Sequence, residues 1–421
     1  MKKVILVSIA ALALIASILL AQKSSPTLAQ RWKTVNKLAE KELPESALKE
    51  VDAILDQARK ENKSSEVIKA MVYKMRFTLD KEPDKAPELI REFEAFTEKS
   101  TDTAERALLH SMTADLYAQY YQKDQWTINQ RTELKGIVPD DMKEWTKNIY
   151  FDRVSKHLAA SLENAAILQK TDALKFSILL ERGDDSRILQ PTLFDLLGDR
   201  RIAIIQKMNQ ATAVKNPLSL AVYYAGAIEF IQQKPDTIYS RSIENQIINT
   251  YSQLLKFRLK AKNTAALINL DLERLEYFRS NGENTGSDSL YMEALSRLEK
   301  EYAENECVVE VLAEKASFYY DKAQGITNEQ SSGNKLFKRK AFDICAEGIK
   351  RFPTYKRIGL LYNIQKKISA KDISINYKQV VKPSSNLNVE IQSSNVSSLT
   401  LNVYKLNAIA AEYQSYKQKS R

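Results

Sequence analysis

Two histidines, His110 and His157, and two cysteines, Cys307 and Cys345, are the only imidazoles and thiols in this 421-residue chain. An imidazole activates a hydroxyl or thiol when a carboxylate orients it and the nucleophile stands beside it. His110 falls in an apolar stripe running from Ala104 to Tyr121 and His157 in one from Met142 to Leu168, with Glu105 and Asp152 as local acids. No nucleophile is spaced to complete a relay, so both histidines read as helix-surface or satisfied core residues. Cys307 and Cys345 belong to separate predicted helices. In an exported chain they could pair; otherwise they are small buried hydrophobes, and neither reads as a catalytic thiol.

The acid pairs Asp140-Asp141 and Asp184-Asp185 invite glycosidase or calcium readings. Adjacent carboxylates diverge, however, and carry no ligand spacing, so Asp140-Asp141 reads as a charge pair at a helix N-terminus. The 20 tyrosines include the doublets Tyr120-Tyr121, Tyr223-Tyr224 and Tyr319-Tyr320. Such rings line the peptide-binding face of some helical solenoids, but inside helices they fill the core with one hydroxyl wet, which is the reading adopted. Two His and two Cys exclude finger-type zinc clusters, while carboxylate sites for calcium or magnesium remain open. The sequence assigns no catalytic, cofactor-binding or metal residue, and it predicts no enzyme.

Lys and Arg number 63 against 53 acidic residues, a formal net charge of +10. Interleaved along the chain, this excess is not the concentrated face of a nucleic-acid binder, so no nucleic-acid partner is predicted. The densest cluster, Lys335, Lys338, Arg339 and Lys340, is interrupted by Phe337, Ala341 and Ile344 at helical spacing and reads as a solvated helix face.

The elements that position these residues are predicted to be helices. Gly and Pro number only 10 each, so tight turns should be few, which argues against a β-sandwich throughout or a glycine-loop dinucleotide fold. Trp32, Val35, Leu38 and Ala39 mark a first helix face, and Pro44 opens a second helix carrying Leu48, Val51, Ile54 and Leu55. Further stripes run from Val67 to Phe77, Ala86 to Phe96, Ala104 to Tyr121, Met142 to Leu168, Leu218 to Ile231, Ile238 to Leu259, Ala265 to Phe278, Leu290 to Tyr302, Val308 to Tyr320 and Leu336 to Phe352. Ala341, Gly348 and Pro353 match the second helix of a tetratricopeptide unit, although Cys345 replaces a larger apolar residue there. The predicted fold class is all-α, a tetratricopeptide-like solenoid over residues 30–370.

From Ile373 the period changes. Leu387, Val389 and Ile391 alternate with polar residues, Ser393-Ser394-Asn395 form a break, and Leu399, Leu401 and Val403 alternate again. A short C-terminal β-hairpin of these two runs is predicted, as the start of an incomplete β domain over 373–406 with a tail over 407–421.

At the front, Lys2 and Lys3 precede an apolar run from Val4 to Leu20 broken only by Ser8 and Ser17. Residues 1–21 read as a secretory signal peptide cut after Ala21, with Ala29 as second choice and an uncleaved anchor as alternative. No Cys stands near the end of the run to carry a lipid anchor. The predicted location is the periplasm or cell envelope.

Arg31-Trp32-Lys33, the segment Leu43-Pro44-Glu45-Ser46-Ala47-Leu48, the run from Gln190 to Leu197 and the run from Leu399 to Leu406, taken with the signal peptide, resemble the N-terminal region of large exported bacterial alpha-2-macroglobulin family proteins. The resemblance implies a helical extension leading into a first macroglobulin β-sandwich, and a family role in trapping proteases. That role does not transfer: the thioester motif runs Cys, any residue, Glu, Gln, and the nearest string here is Cys345-Ala346-Glu347-Gly348. The chain is therefore expected to be a leading, non-catalytic portion of such a protein. The alternative is a stand-alone tetratricopeptide-like scaffold in the periplasm, with a helical glycan-degrading enzyme third. These readings leave room for a protein or peptide partner and for envelope association, and they require no cofactor.

Overall fold

A computed structural model describes residues 26–133, 136–180, 183, 185–208, 220–233, 242–281, 286–324, 331–377 and 386–402. The proposed signal peptide, Asp184, Val403 and the tail lie outside them. The described chain is mostly helical, with one two-stranded antiparallel hairpin near the C-terminus.

Helix α1 (Leu28–Glu40) starts at Thr27. The Thr27 hydroxyl accepts from the Gln30 N–H while the Gln30 side chain accepts from the Thr27 N–H, which satisfies two donors the helix itself leaves open. α2 (Pro44–Lys60) opens with proline at its first turn, as expected, and α3 (Ser64–Lys81) follows. Tight turns join the three after all. Glu42 at φ +55° and Asn62 at φ +53° take the left-handed position usually held by glycine. Each turn closes the helix before it, with Leu43 N–H donating to Leu38 O and Lys63 N–H to Ala58 O. The scarcity of glycine thus reflects which residues make the turns as well as how many turns there are.

Arg31, early in α1, reaches Glu50 at 2.8 Å and Gln57 at 3.0 Å in α2, and Trp32 Nε1 donates to Glu66 of α3 at 2.6 Å. Val35, Val51, Ile54, Ile68, Phe93 and Leu109 lie in one buried cluster. Then come α4 (Ala86–Lys99) and α5 (Thr103–Lys123), the latter capped by Asp102. The stripe from Met142 to Leu168 is not one helix. A 3-10 turn at Met142–Glu144 gives way to extended backbone at Trp145 and Thr146, followed by α6 (Lys147–Ala160) and a short helix at Ala165–Leu168. The break is held by Asp141, which caps the turn, and by Trp145 Nε1, which donates to Pro139 O at 2.7 Å.

Next are α7 (Leu193–Gln206), which no predicted stripe announces, α8 (Ile243–Ala261), α9 (Thr264–Asn281) and α10 (Ser287–Glu301). The stripe from Leu218 to Ile231 resolves, within the described residues, into short helices at Leu220–Tyr223 and Ala227–Gln232, with Gly226 extended between them. Packing also runs beyond chain neighbours, since Arg200 of α7 donates to Ser111 of α5 at 3.0 Å.

The chain divides into two compact units, Met1–Ala294 and Leu295–Arg421. The second is built from α11 (Val308–Gln324), α12 (Ser331–Arg351) and α13 (Gly359–Ser369), each packed on the other two. Ala341 and Cys345 are fully buried, and a Cβ at Gly348 would lie 2.5 Å from Leu361 Cδ1 and 3.0 Å from Leu312 Cδ1. Gly348 therefore permits the close approach of three helices. Gly348→Val should lower stability by about 1–3 kcal/mol through overpacking, although on an open helix face the same change would be close to neutral. Thermal melts check this; an unchanged midpoint would show that α12 does not approach its neighbours so closely.

Strands β1 (Asp372–Tyr377) and β2 (Val389–Ser394) pair antiparallel, with Ile375 opposite Ile391 and Tyr377 opposite Val389. The expected partner run is thereby corrected: residues 399–402 form no strand. The run from Ile373 to Tyr377 alternates in matching register, and the break holds β2 beside it. Asn395, at φ +55°, donates to Ile368 O at 2.7 Å and to Ala370 O at 2.8 Å, pinning the end of β2 to the end of α13. One face of the ribbon carries Ile373, Ile375, Tyr377, Val389 and Ile391, all exposed. No helix among the described residues is long and apolar enough to cross a membrane.

Candidate functional site

Helices α4, α5 and α6 bring the two imidazoles together. Glu94 and Glu98 stand one turn apart on α4, His110 and Tyr117 two turns apart on α5, and Arg153 and His157 one turn apart on α6, so each pair shares a face. His110 Nδ1 and His157 Nδ1 are 2.9 Å apart, both rings buried. His157 Nε2 lies 2.9 Å from Glu94 Oε1, and the Tyr117 hydroxyl donates to Glu94 Oε2 at 2.7 Å. Arg153 stands 3.5 Å from the same carboxylate. Trp145 stacks beside Tyr117 at 5.8 Å and closes the cluster.

Electrostatics assign the protons. The hydrogen bond from His157 holds the Glu94 carboxyl down at about 2, helped by Tyr117 and opposed by burial. Glu94 is thus a carboxylate, and His157 donates Nε2–H to it. In a neutral His157 the Nδ1 lone pair then accepts from His110 Nδ1–H. Burial, with the His157 charge second, pushes His110 down to about 4. Burial and the Glu94 hydrogen bond raise the Tyr117 hydroxyl. The result is a hydrogen-bonded chain from Tyr117 through Glu94 and His157 to His110.

Glu98, exposed on the next turn of α4, offers a carboxylate oxygen to the same place, and one ligand atom from each of Glu98, His110 and His157 lies within 4.8 Å of the others. Nearby hydroxyls are engaged elsewhere: Thr113 donates to Leu109 O, and Ser111 accepts from Arg200. The arrangement can hold a proton or a cation.

The histidines are thus satisfied core residues, as one of the two readings held, but the acid is neither local candidate. Glu105 accepts from Ser100 at 3.0 Å, and the carboxylate on His157 is Glu94. Glu94 and Glu98 escaped the sequence reading although their spacing of four on an amphipathic helix was visible. Cys307 and Cys345 are both free, so the disulfide option is not realised. Burial pushes the Cys345 thiol up to about 12 and raises Cys307 as well, which opposes thiolate chemistry at either.

Asp141 caps the turn after it, as a helix-start charge should, and Asp140 accepts from Arg91 through its carbonyl. Asp185 precedes the short helix Ser186–Leu189. The tyrosine doublets pack: Tyr121 is buried and donates to Asn129 at 2.9 Å, and Tyr223 stacks on Phe278 at 4.3 Å. Arg339 pairs with Asp343 at 2.9 Å on an exposed helix face, and Lys335 and Lys340 are exposed beside it. An open groove near Lys81, Asp84, Lys85, Glu88, Arg91 and Lys143 mixes both charges.

No family model matches the chain, and neither a curated protein nor a solved structure matches it.

Proposed function

We propose that the chain is a non-catalytic helical binding module of an exported cell-envelope protein, of the kind that leads bacterial alpha-2-macroglobulin proteins. The observation that carries this reading is the α11–α13 unit, in which small residues at Ala341 and Gly348 let neighbouring helices close on one another as in tetratricopeptide scaffolds. Motif residues behind the resemblance serve as anchors: Trp32 ties α1 to α3, and Thr192 and Asp195 cap α7. Cys345 is a buried helical thiol, in no position to form a thioester. The open apolar face of the ribbon favours this reading over a stand-alone scaffold, since a two-stranded ribbon needs a covering layer to be stable.

Of the two signal cuts, the one after Ala21 fits the proposal. Ala29 lies inside α1, and cutting there would remove the Thr27 cap and the buried Leu28. Expressed in a bacterium with two membranes, the protein should fractionate with the envelope or periplasm and begin at Gln22. Purified, it should neither link covalently to trypsin nor shield a large substrate from cleavage. An intact N-terminus in the cytoplasm would sink the export reading, and methylamine-sensitive adducts with trypsin would sink the non-trapping one.

A further inference from the structure

We propose that Glu98, His110 and His157 form a binding site for a borderline-soft divalent cation, Zn²⁺ above others, supported from behind by Glu94 and Tyr117. The inference is independent of where the protein resides and of the binding role proposed above.

Two features of the cluster are those of a metal centre. First, the two Nδ1 atoms face each other at 2.9 Å, both rings buried, and a Glu98 oxygen completes a set of three ligand atoms within 4.8 Å. Second, the ring of His157 is already set for ligation. Its Nε2–H is held by Glu94, which is itself held by Tyr117, so its Nδ1 lone pair is aimed at the shared space. A carboxylate behind a histidine, fixing its tautomer and orientation, is the usual outer support of a bound zinc.

Binding asks little of the structure. Two nitrogens at about 2.0–2.1 Å from one tetrahedral ion stand about 3.3 Å apart, so the rings must part by roughly 0.4 Å. His110 gives up its Nδ1 proton to water and takes one at Nε2, remaining a neutral imidazole throughout. Glu98 already gives Oε2 to Arg106, at 3.1 Å, and keeps its other oxygen for the ion. Because Glu98 is exposed while the imidazoles are buried, it also marks the way in. Two imidazoles and one carboxylate suit zinc and its neighbours rather than magnesium or calcium, which want six or more oxygens. Three protein ligands leave one position of a four-coordinate ion to water.

The test uses the full mature chain, stripped with chelator and desalted, titrated at pH 7.5 with ZnCl2 by calorimetry and with Co²⁺ by visible absorption. One ion per chain should bind. His110→Gln and His157→Gln should each weaken binding about a hundredfold, and Glu94→Gln tenfold to a hundredfold. Glu98→Gln, an exposed change whose retained fold circular dichroism would check, should weaken it at least about tenfold, and Cys307→Ser with Cys345→Ser should leave it unchanged. Folded wild type that takes up neither ion at about 100 μM would overturn the proposal. So would binding of the same affinity in Glu98→Gln and His110→Gln.

Discussion

Asp195→Ala lowers the stability of the Met1–Ala294 unit by about 3–5 kcal/mol, the cost of stranding a buried charge. Asp195 does two things at once. Its Oδ2 accepts from the N–H and hydroxyl of Thr192, closing the cap of α7, and its two oxygens receive the Arg258 guanidinium of α8, with Nε at 2.8 Å from Oδ1. The two side chains are 7% and 3% exposed, so water cannot replace the missing partner. Burial lowers Arg258 only to about 10, so it is charged at pH 7, and a guanidinium keeps its proton without a partner. Asp195→Ala combined with Arg258→Met should recover part of the loss, because an apolar pair of similar volume escapes the desolvation cost of the ion pair. All three tryptophans, Trp32, Trp126 and Trp145, belong to this unit, so urea melts followed by tryptophan fluorescence read it selectively. A loss under about 1 kcal/mol for the single change would mean that Arg258 finds another acceptor or water.

Acidification of the chelator-treated protein should remove stability in two steps centred on the histidine cluster. His110 titrates at about 4 in the fold against 6.5 ordinarily. The folded state therefore binds fewer protons than the unfolded chain between those values, and His110's contribution is complete above pH 6.5 and disappears as pH falls to 4. At full size it amounts to about 3 kcal/mol. Of the charges around it, His157, Arg106 and Lys156 oppose its protonation and Glu98 favours it. Glu94, held at about 2 against 4.5, follows lower down: its contribution is present above pH 4.5 and is lost toward pH 2. Urea midpoints from pH 8 to pH 3 would show the first step flattened by His110→Gln and the second by Glu94→Gln. A His110→Gln profile that overlays the wild type would disprove the assignment.

Helix positions were readable where an apolar stripe met a breaker, as at Pro44, because those signals act within one or two turns of chain. Reading failed where local signals compete. The Met142–Leu168 stripe keeps its period through Trp145 and Thr146, yet the backbone there is extended, with the ring of Trp145 packed on Tyr117 and donating to Pro139 O. Both hairpin strands fall within one residue of the predicted β region, but the partner of β2 is the run before it and not the run after it. The runs Ile373–Tyr377, Leu387–Ile391 and Leu399–Val403 alternate equally well, and the two Asn395 hydrogen bonds to the end of α13 favour the first two.

What the sequence determined by itself is the helical class and the terminal change to a period of two. Both follow from residue type and from spacings shorter than a helix. Tertiary structure alone decided that His110 and His157, 47 residues apart, would share a hydrogen bond, and that Glu94, 63 residues from His157, would be the acid between it and Tyr117. Period and propensity place a side chain on a helix face, whereas the meeting of three faces depends on how α4, α5 and α6 pack, and that is set by the side chains of all three at once.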